Sequence, residues 1–216
     1  MTTVELFRFI GYMCEAAWTT LSVFFLTLLF GLPLGLVACM GRMSKAKPVR
    51  LITKIYLLVM RGTPLLLQLM FFKYAPYYIF GVTMETYTAG IVAFSVNYAA
   101  YFAEIYRSGM ESIPKGQKEA AFILGFTKTQ TFFKIILPQV IKRILPPMGS
   151  EFMTLVKDTS LIQIIGVAEM YKLATQTMAR EVTVIPLVVA GVFYLVMNGV
   201  VEKVFSMTEK KLSYYQ

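Results

Sequence analysis

Residues Ala16–Gly41 read AAWTTLSVFFLTLLFGLPLGLVACMG and carry no charged side chain before Arg42. A bilayer core of ~30 Å needs roughly 20 apolar residues per helical span, so this segment is long enough to cross a membrane as one helix. Gly31, Pro33 and Gly35 within it indicate a bend or a close helix contact. The segment therefore predicts an integral membrane protein.

The composition of the whole chain supports this prediction. Of its 216 residues, 57% are hydrophobic and 15% are charged, and the mean hydropathy is +0.64. A water-soluble domain cannot sustain so apolar a surface. The length leaves room for one domain of five spans with short loops. We therefore expect an all-α integral membrane fold in which residues 1–216 form a single transmembrane domain.

Four further apolar stretches follow the first. The predicted spans cover residues of about 16–41, 52–73, 84–106, 133–157 and 182–204. The second is interrupted around Gly62, and the fourth is broken into pieces at Pro146 and Pro147. Such interruptions are tolerated only where the backbone is buried in protein or lines a cavity. Between the fourth and fifth spans, Leu161–Ala174 is typical of a short helical segment on the outer surface.

The net charge of +9 is explained by topology, because Lys and Arg accumulate in short cytoplasmic loops. Fifteen basic residues fall on one side of the predicted spans and five on the other, with Arg61 unassigned. This distribution predicts five spans with the N-terminus outside and the C-terminus inside. It also argues against nucleic acid as a partner.

The third loop, Glu104–Pro138, reads EIYRSGMESIPKGQKEAAFILGFTKTQTFFKIILP. Within it, Lys115–Leu124 places small and apolar residues on one helical face, and Gly125 ends the helix. From periodicity alone, this short amphipathic helix fits either a lipid surface or a protein partner.

The loop resembles the signature of bacterial ABC importer permeases, which is E-A-A, three residues, Gly, nine residues and I-x-L-P. Every specified position is filled, by Glu119, Ala120, Ala121, Gly125, Ile135, Leu137 and Pro138. The resemblance implies a cytoplasmic coupling helix of about 115–126 between the third and fourth spans, which docks on a separate ATP-binding subunit. The implied coupling residues are Gly116, Glu119, Ala120, Ala121 and Gly125.

Two more segments are similar to the polar amino acid branch of this family, whose members include histidine, arginine and glutamine permeases. They are RGTPLLLQL at Arg61–Leu69 and LVKDTSLIQIIGVAEM at Leu155–Met170. The resemblance extends over nearly the whole chain and favours amino acids over sugars, metals or phosphate as cargo. It implies a multi-pass protein of the bacterial inner membrane, in contact with membrane lipid. Its implied protein partners are the ATPase, a second copy or homologous permease, and an extracytoplasmic substrate-binding protein.

Arg61 is the first candidate residue of the substrate pathway. An arginine inside an apolar span costs ~2.5 to 3.5 kcal/mol on insertion scales, so it should face a partner or a cavity. The alternative is an arginine that snorkels to the cytoplasmic surface. The helix break at Gly62–Pro64 frees backbone groups beside Thr63 for a ligand.

Two acidic residues form the second part of the candidate pathway. Glu151 and Asp158 are seven residues apart, which places both carboxylates on one helical face, where they suit an ammonium group. Thr159 and Ser160 add hydroxyls that could hold a carboxylate or an amide. The alternative is that Lys157 and Asp158 simply neutralise each other. The family resemblance implies that this region lines the substrate path.

Several motifs are missing from the sequence. Without a G-x-x-x-x-G-K-[ST] loop, ATP and Mg²⁺ should be bound by the partner ATPase and not by this chain. The sequence has no histidine and no CxxC pattern, so no metal site or other cofactor is expected. No nucleophile and base stand together, and we expect no enzymatic activity.

Two other functional classes remain open from the sequence. One is a secondary transporter of amino acids driven by an ion gradient, in which Glu151 and Asp158 bind protons or sodium. Its usual internal repeat is not visible. The other is an intramembrane scaffold or channel subunit, which leaves the complete loop signature unexplained.

Overall fold

A computed structural model describes residues 3–212, and within this range all the regular secondary structure is helical. The elements in order are α1 (Thr3–Arg42), α2 (Lys47–Gly62), α3 (Leu65–Phe80), α4 (Thr86–Glu111), α5 (Lys115–Ile123), α6 (Lys128–Gln130), a π-helical turn (Thr131–Ile136), α7 (Leu137–Asp158), a 3-10 segment (Thr159–Ile165), α8 (Met170–Glu181) and α9 (Ile185–Leu212). Two of these helices, α1 from Val4 and α9, are long and apolar enough to cross a membrane individually, and the bent pair α2 and α3 adds a third candidate span.

Helices α1 and α4 pack along each other at the centre of the fold. A Cβ atom added at Gly35 would lie 2.8 Å from Cβ of Phe102 and 3.2 Å from the carbonyl oxygen of Ala99. The predicted close helix contact is thus confirmed at Gly35. Helix α1 also extends beyond the predicted span, to Thr3.

The second predicted span, 52–73, is divided into two helices whose axes differ in direction by 111°. Helix α2 ends at Gly62, Thr63 is extended, and Pro64 is the N-cap of α3. Proline lacks an N–H and disfavours a helical conformation in the preceding residue, so the chain bends where the sequence predicts a break. The interruption that the sequence predicts around Gly62 is thus confirmed, and the two helices together remain one candidate span.

The fourth predicted span is more regular than the sequence suggests. Helical structure runs without a gap from Lys128 to Asp158, with Pro146 and Pro147 inside α7. Because Pro138 has no N–H to donate, the preceding turn widens, and the N–H of Leu137 bonds the carbonyl of Phe132 five residues back. The expectation that the prolines divide this span into pieces is wrong.

The segment between α7 and α9 is anchored by Glu169, whose side chain is fully buried. Its carboxylate accepts hydrogen bonds of 2.8 Å from the backbone N–H groups of Tyr171 and Lys172, which caps α8, and from the hydroxyl of Tyr194 on α9. Burial raises the pKa of Glu169, and these hydrogen bonds oppose that effect. Helix α8 begins at Met170, inside the predicted segment Leu161–Ala174, and extends beyond it to Glu181, while the first part of that segment belongs to the 3-10 segment.

Substitution of Gly35 should loosen the α1–α4 contact. We expect Gly35→Ala to destabilise the detergent-solubilised protein by about 1–3 kcal/mol, because its methyl group overpacks against Phe102 and the Ala99 carbonyl. The measurement is the thermal unfolding midpoint. Gly31→Ala is the matched control, since a Cβ there meets its nearest atoms at 3.5 Å, an ordinary contact. Equal midpoints for the two variants would contradict the packing argument.

Candidate functional site

A buried amide network holds the bend between α2 and α3. In a continuous helix the carbonyl of Met60 would accept from residue 64, but Pro64 has no N–H. The side-chain amide of Gln68 donates to this carbonyl at 2.9 Å and that of Asn97 at 3.0 Å. Asn97 also donates to the side-chain oxygen of Gln68 at 2.8 Å. The side chains of α3 and α4 therefore replace the hydrogen bond that Pro64 removes.

The same network immobilises Thr63. Its hydroxyl donates to the carbonyl of Val59 at 2.8 Å and accepts from the amide of Gln68 at 2.8 Å. The predicted ligand-binding backbone at this break is thus partly occupied by contacts within the chain. Gly62 is exposed, and an added Cβ would meet no atom within 4 Å.

Three arginines surround the carboxylate of Glu104, which lies two turns before the C-terminus of α4. Its carboxylate lies 2.7 Å from Nη2 of Arg107, 3.8 Å from Nη1 of Arg61 and 4.0 Å from Nε of Arg42. The guanidinium of Arg61 also lies over the ring of Tyr101, 5.5 Å from its centroid. Arg61, 44% exposed, therefore has partners within the chain, and Glu104 joins the ends of α1, α2 and α4.

The two candidate carboxylates lie in the same region of the fold. Asp158 accepts a 2.8 Å hydrogen bond from the hydroxyl of Tyr98, and the ring of Tyr98 lies 6.0 Å from that of Tyr101. Glu151 lies on the same helix, α7, seven residues before Asp158. Both carboxylates are half-buried. Arg61 and Asp158 thus each contact a tyrosine of α4.

The two hydroxyl residues after Asp158 are less available than the sequence suggests. Thr159 is fully buried and donates to the carbonyl of Val156 at 2.7 Å, while Ser160 donates to the carbonyl of Lys157 at 2.7 Å. The expectation that Thr159 offers its hydroxyl to a ligand is not met in this structure, because its side chain packs inside the bundle. Asp158 pairs with Tyr98 and forms no ion pair with Lys157 among residues 3–212.

The predicted coupling helix is α5, and its C-terminus is closed by a Schellman motif. The N–H of Phe126 bonds the carbonyl of Ala121 at 3.0 Å, and the N–H of Gly125 bonds that of Phe122 at 3.0 Å. Gly125 has a φ of +77°, which costs other L-residues roughly 1–2 kcal/mol. The signature glycine is therefore explained by the turn that ends the helix.

Helix α5 presents its side chains outward. Among the predicted coupling residues, Gly116, Glu119 and Ala120 are exposed, and only Ala121 is buried. Three consecutive apolar side chains at the end of the helix are also exposed, namely Phe122 at 81%, Ile123 at 83% and Leu124 at 73%. An exposed apolar cluster of this kind marks an interaction surface.

The base of this loop is fixed to the rest of the chain. Ile113, Ile136 and Val140 form a small buried cluster between α4 and α7. The guanidinium of Arg143 donates to the carbonyl of Ser112. These contacts join the ends of α4 and α7 at the base of the loop.

Gln68, Asn97, Tyr98 and Glu104 are the site residues that sequence reasoning did not assign. A sequence signal for Gln68 and Asn97 does exist. Pro64 leaves the carbonyl of Met60, four residues earlier, without its helical donor, and a side-chain amide in an apolar segment is a donor that can replace it. No group of three or more His, Cys, Asp or Glu side chains that could hold a metal ion occurs within residues 3–212.

An all-helical chain with apolar helices long enough to cross a membrane and a short exposed helix between α4 and α7 is compatible with the membrane subunit of a transporter. The chain belongs to the family of binding-protein-dependent transport system inner membrane components, whose match covers residues 31–214. It is a membrane permease subunit, and the prediction that it is not an enzyme is confirmed by this membership.

Named relatives narrow the family further. The chain is 36% identical over 198 residues to the L-cystine transport system permease protein TcyB of Bacillus subtilis, covering 91% of this chain and 84% of the relative. It is 34% identical to the arginine transport system permease protein ArtQ of the same organism, covering 94% and 93%. A crystal structure of an amino acid ABC transporter with histidines matches with a TM-score of 0.89 at 32% identity, covering 98% and 99%. The predicted resemblance to amino acid permeases is confirmed.

The amide network can be tested by a double-mutant cycle. Gln68→Leu should destabilise the protein by about 1–3 kcal/mol, because it leaves buried polar groups unsatisfied. Asn97→Leu should do the same, and the double variant should cost less than the sum of the two. The measurement is the free energy of unfolding in detergent. Strict additivity would show that the two amides do not act together at the Met60 carbonyl.

Proposed function

We propose that this chain is the permease subunit of an ATP-driven importer that moves polar amino acids across the bacterial inner membrane. The observation that carries the proposal is α5, which combines the complete loop signature with three exposed apolar side chains. The relatives give no support to the alternative of an ion-gradient-driven secondary transporter.

The proposed topology has five spans, formed by α1, the bent pair α2 and α3, α4, α7 and α9. It places the N-terminus outside and the C-terminus inside, in accord with the distribution of basic residues. The break between α2 and α3 fits a spanning segment, because its freed carbonyl is satisfied by buried side chains. Helix α5 then lies in the cytoplasm.

The proposed assembly pairs this chain with a second copy or a homologous permease. Each permease contacts one ATP-binding subunit through α5, and ATP and Mg²⁺ belong to that subunit. A substrate-binding protein delivers cargo to the outer surface. The cargo enters near an open cleft of about 460 Å³ between the start of α1 and α8. Its lining includes Arg8, Phe9, Tyr12, Arg180 and Glu181.

The proposed coupling step is a rigid-body displacement. Closure of the ATPase pair moves α5, and the movement passes to α4 and α7 through the buried cluster at the base of the loop. Glu119 pairs with basic groups on the partner, and Gly125 preserves the sharp exit of the chain.

The proposed substrate path includes Arg61, Glu151 and Asp158. The named relatives belong to L-cystine and arginine transport systems, and neither of these amino acids carries a net negative charge, which a carboxylate pair would repel. Thr63 and Ser160 lie beside this path. We therefore favour zwitterionic or cationic amino acids as cargo over acidic ones.

Loss of the apolar tip should uncouple the ATPase. We expect Phe122→Ser to abolish co-purification of the ATP-binding subunit and ATP-driven uptake, because truncation of a central apolar anchor typically costs 2 kcal/mol or more of binding. Phe80→Ser is the matched control, since Phe80 is 76% exposed at the end of α3, which the proposed topology assigns to the outer side. Co-purification of the ATPase with the Phe122 variant at the wild-type ratio would argue against α5 as the docking helix.

The carboxylates should set the affinity for cargo. In liposomes with the ATPase and binding protein, ATP hydrolysis should be stimulated by one or a few amino acids from a panel that includes arginine, histidine, glutamine and cystine. Glu151→Gln should raise the half-saturating concentration by about tenfold or more, the value of a lost charged hydrogen bond. Glu202→Gln, an exposed acid on α9, should leave it unchanged. Uptake without an ATPase partner, driven by a proton gradient, would contradict the importer.

A further inference from the structure

The first two turns of α2 carry a cationic stripe, defined here as Lys47, Arg50 and Lys54. These residues are three and four positions apart, so they share one side of the helix. All three side chains are exposed, and none forms an ion pair with another residue of the range 3–212. The sequence contains no Asp or Glu between Glu15 and Glu85, so no neighbour along the chain can neutralise the stripe.

This charge lies at the end of the helix where it is least favourable. The N-terminus of a helix carries a partial positive charge and favours anions. Helix α2 has no acidic residue in its first turn, and its N-cap, Ala46, provides no side-chain hydrogen bond. The cationic stripe and the uncapped first turn therefore both favour an external anion.

An exposed apolar strip runs along the next side of the same helix. Ile52 is 69% exposed, Ile55 53% and Leu58 70%. On the opposite side, Tyr56 and Leu57 pack against α1 and α4. The cationic stripe thus lies between the buried side and the exposed apolar strip, an arrangement typical of helices at the boundary between lipid headgroups and acyl chains.

We propose that the first two turns of α2 bind an anionic phospholipid. Lys47, Arg50 and Lys54 hold its phosphate-bearing headgroup, and its acyl chains lie along Ile52, Ile55 and Leu58. An acidic protein surface would neutralise the three cations but would leave the apolar strip exposed to solvent. A second copy that met this face about a two-fold axis would bring like charges together. Lipid is the occupant that satisfies both features, whatever cargo the transporter carries.

The test is native mass spectrometry of the delipidated full chain in detergent, titrated with dioleoyl-phosphatidylglycerol or dioleoyl-phosphatidylcholine. The wild-type chain should bind its first phosphatidylglycerol more tightly than phosphatidylcholine. In Lys47→Gln/Arg50→Gln/Lys54→Gln this preference should fall about fivefold or more, since each cation near an anionic lipid surface contributes a factor of roughly five. Higher salt should weaken the wild-type preference, because the cations are exposed and screened.

The matched control is Lys203→Gln/Lys210→Gln/Lys211→Gln, which removes the same charge from the other end of the chain and should keep the preference. An unchanged preference in the α2 variant, or an equal loss in the control, overturns the proposal. If the α2 variant keeps its lipid preference but loses the ATP-binding subunit, the stripe docks an acidic protein surface, and the lipid proposal is wrong. Size-exclusion chromatography verifies that both variants remain folded, as expected for exposed substitutions.

Discussion

The need of the Met60 carbonyl for a hydrogen-bond donor is the constraint on which the packing of α2, α3 and α4 depends. In the interior of a membrane protein, a polar backbone group without a partner costs several kcal/mol. Pro64 removes the donor that a continuous helix would supply, and the amides of Gln68 and Asn97 take its place. Because these amides come from α3 and α4, the bend exists only when three helices are packed together.

The bend decides where Arg61 points. It is the penultimate residue of α2, so the change of direction leaves its guanidinium beside Tyr101 and Glu104 on α4. Glu104 compensates part of this charge while Arg42 and Arg107 compete for the same carboxylate. The arginine is therefore neither buried and neutralised nor fully solvated, and a residue in that state can respond to a charged ligand at moderate cost.

Sequence patterns predicted the parts of the fold that depend on local chemistry. Apolar runs located the helices, the loop signature located α5, and the Gly62–Pro64 break was visible from residue types alone. Pairing between distant segments was not visible, and so the Gln68–Asn97 contact was missed. The continuity of α7 through Pro146 and Pro147 was also mispredicted, because tertiary packing on α4 and α9 outweighs the local penalty of proline. Burial of Thr159 depends on the same packing.

The arrangement of α7 constrains how the loop can act on the substrate path. Helix α7 has 22 residues, so at 1.5 Å per residue it is about 33 Å long, and a tilt of roughly 10° at its base moves Asp158 by about 6 Å. The hydrogen bond from Tyr98 on α4 to Asp158 is 2.8 Å long and cannot survive such a displacement unless α4 moves too. Because Arg143 and the Ile113 cluster also join both helices at the base of the loop, the coupling step proposed above requires α4 and α7 to move together.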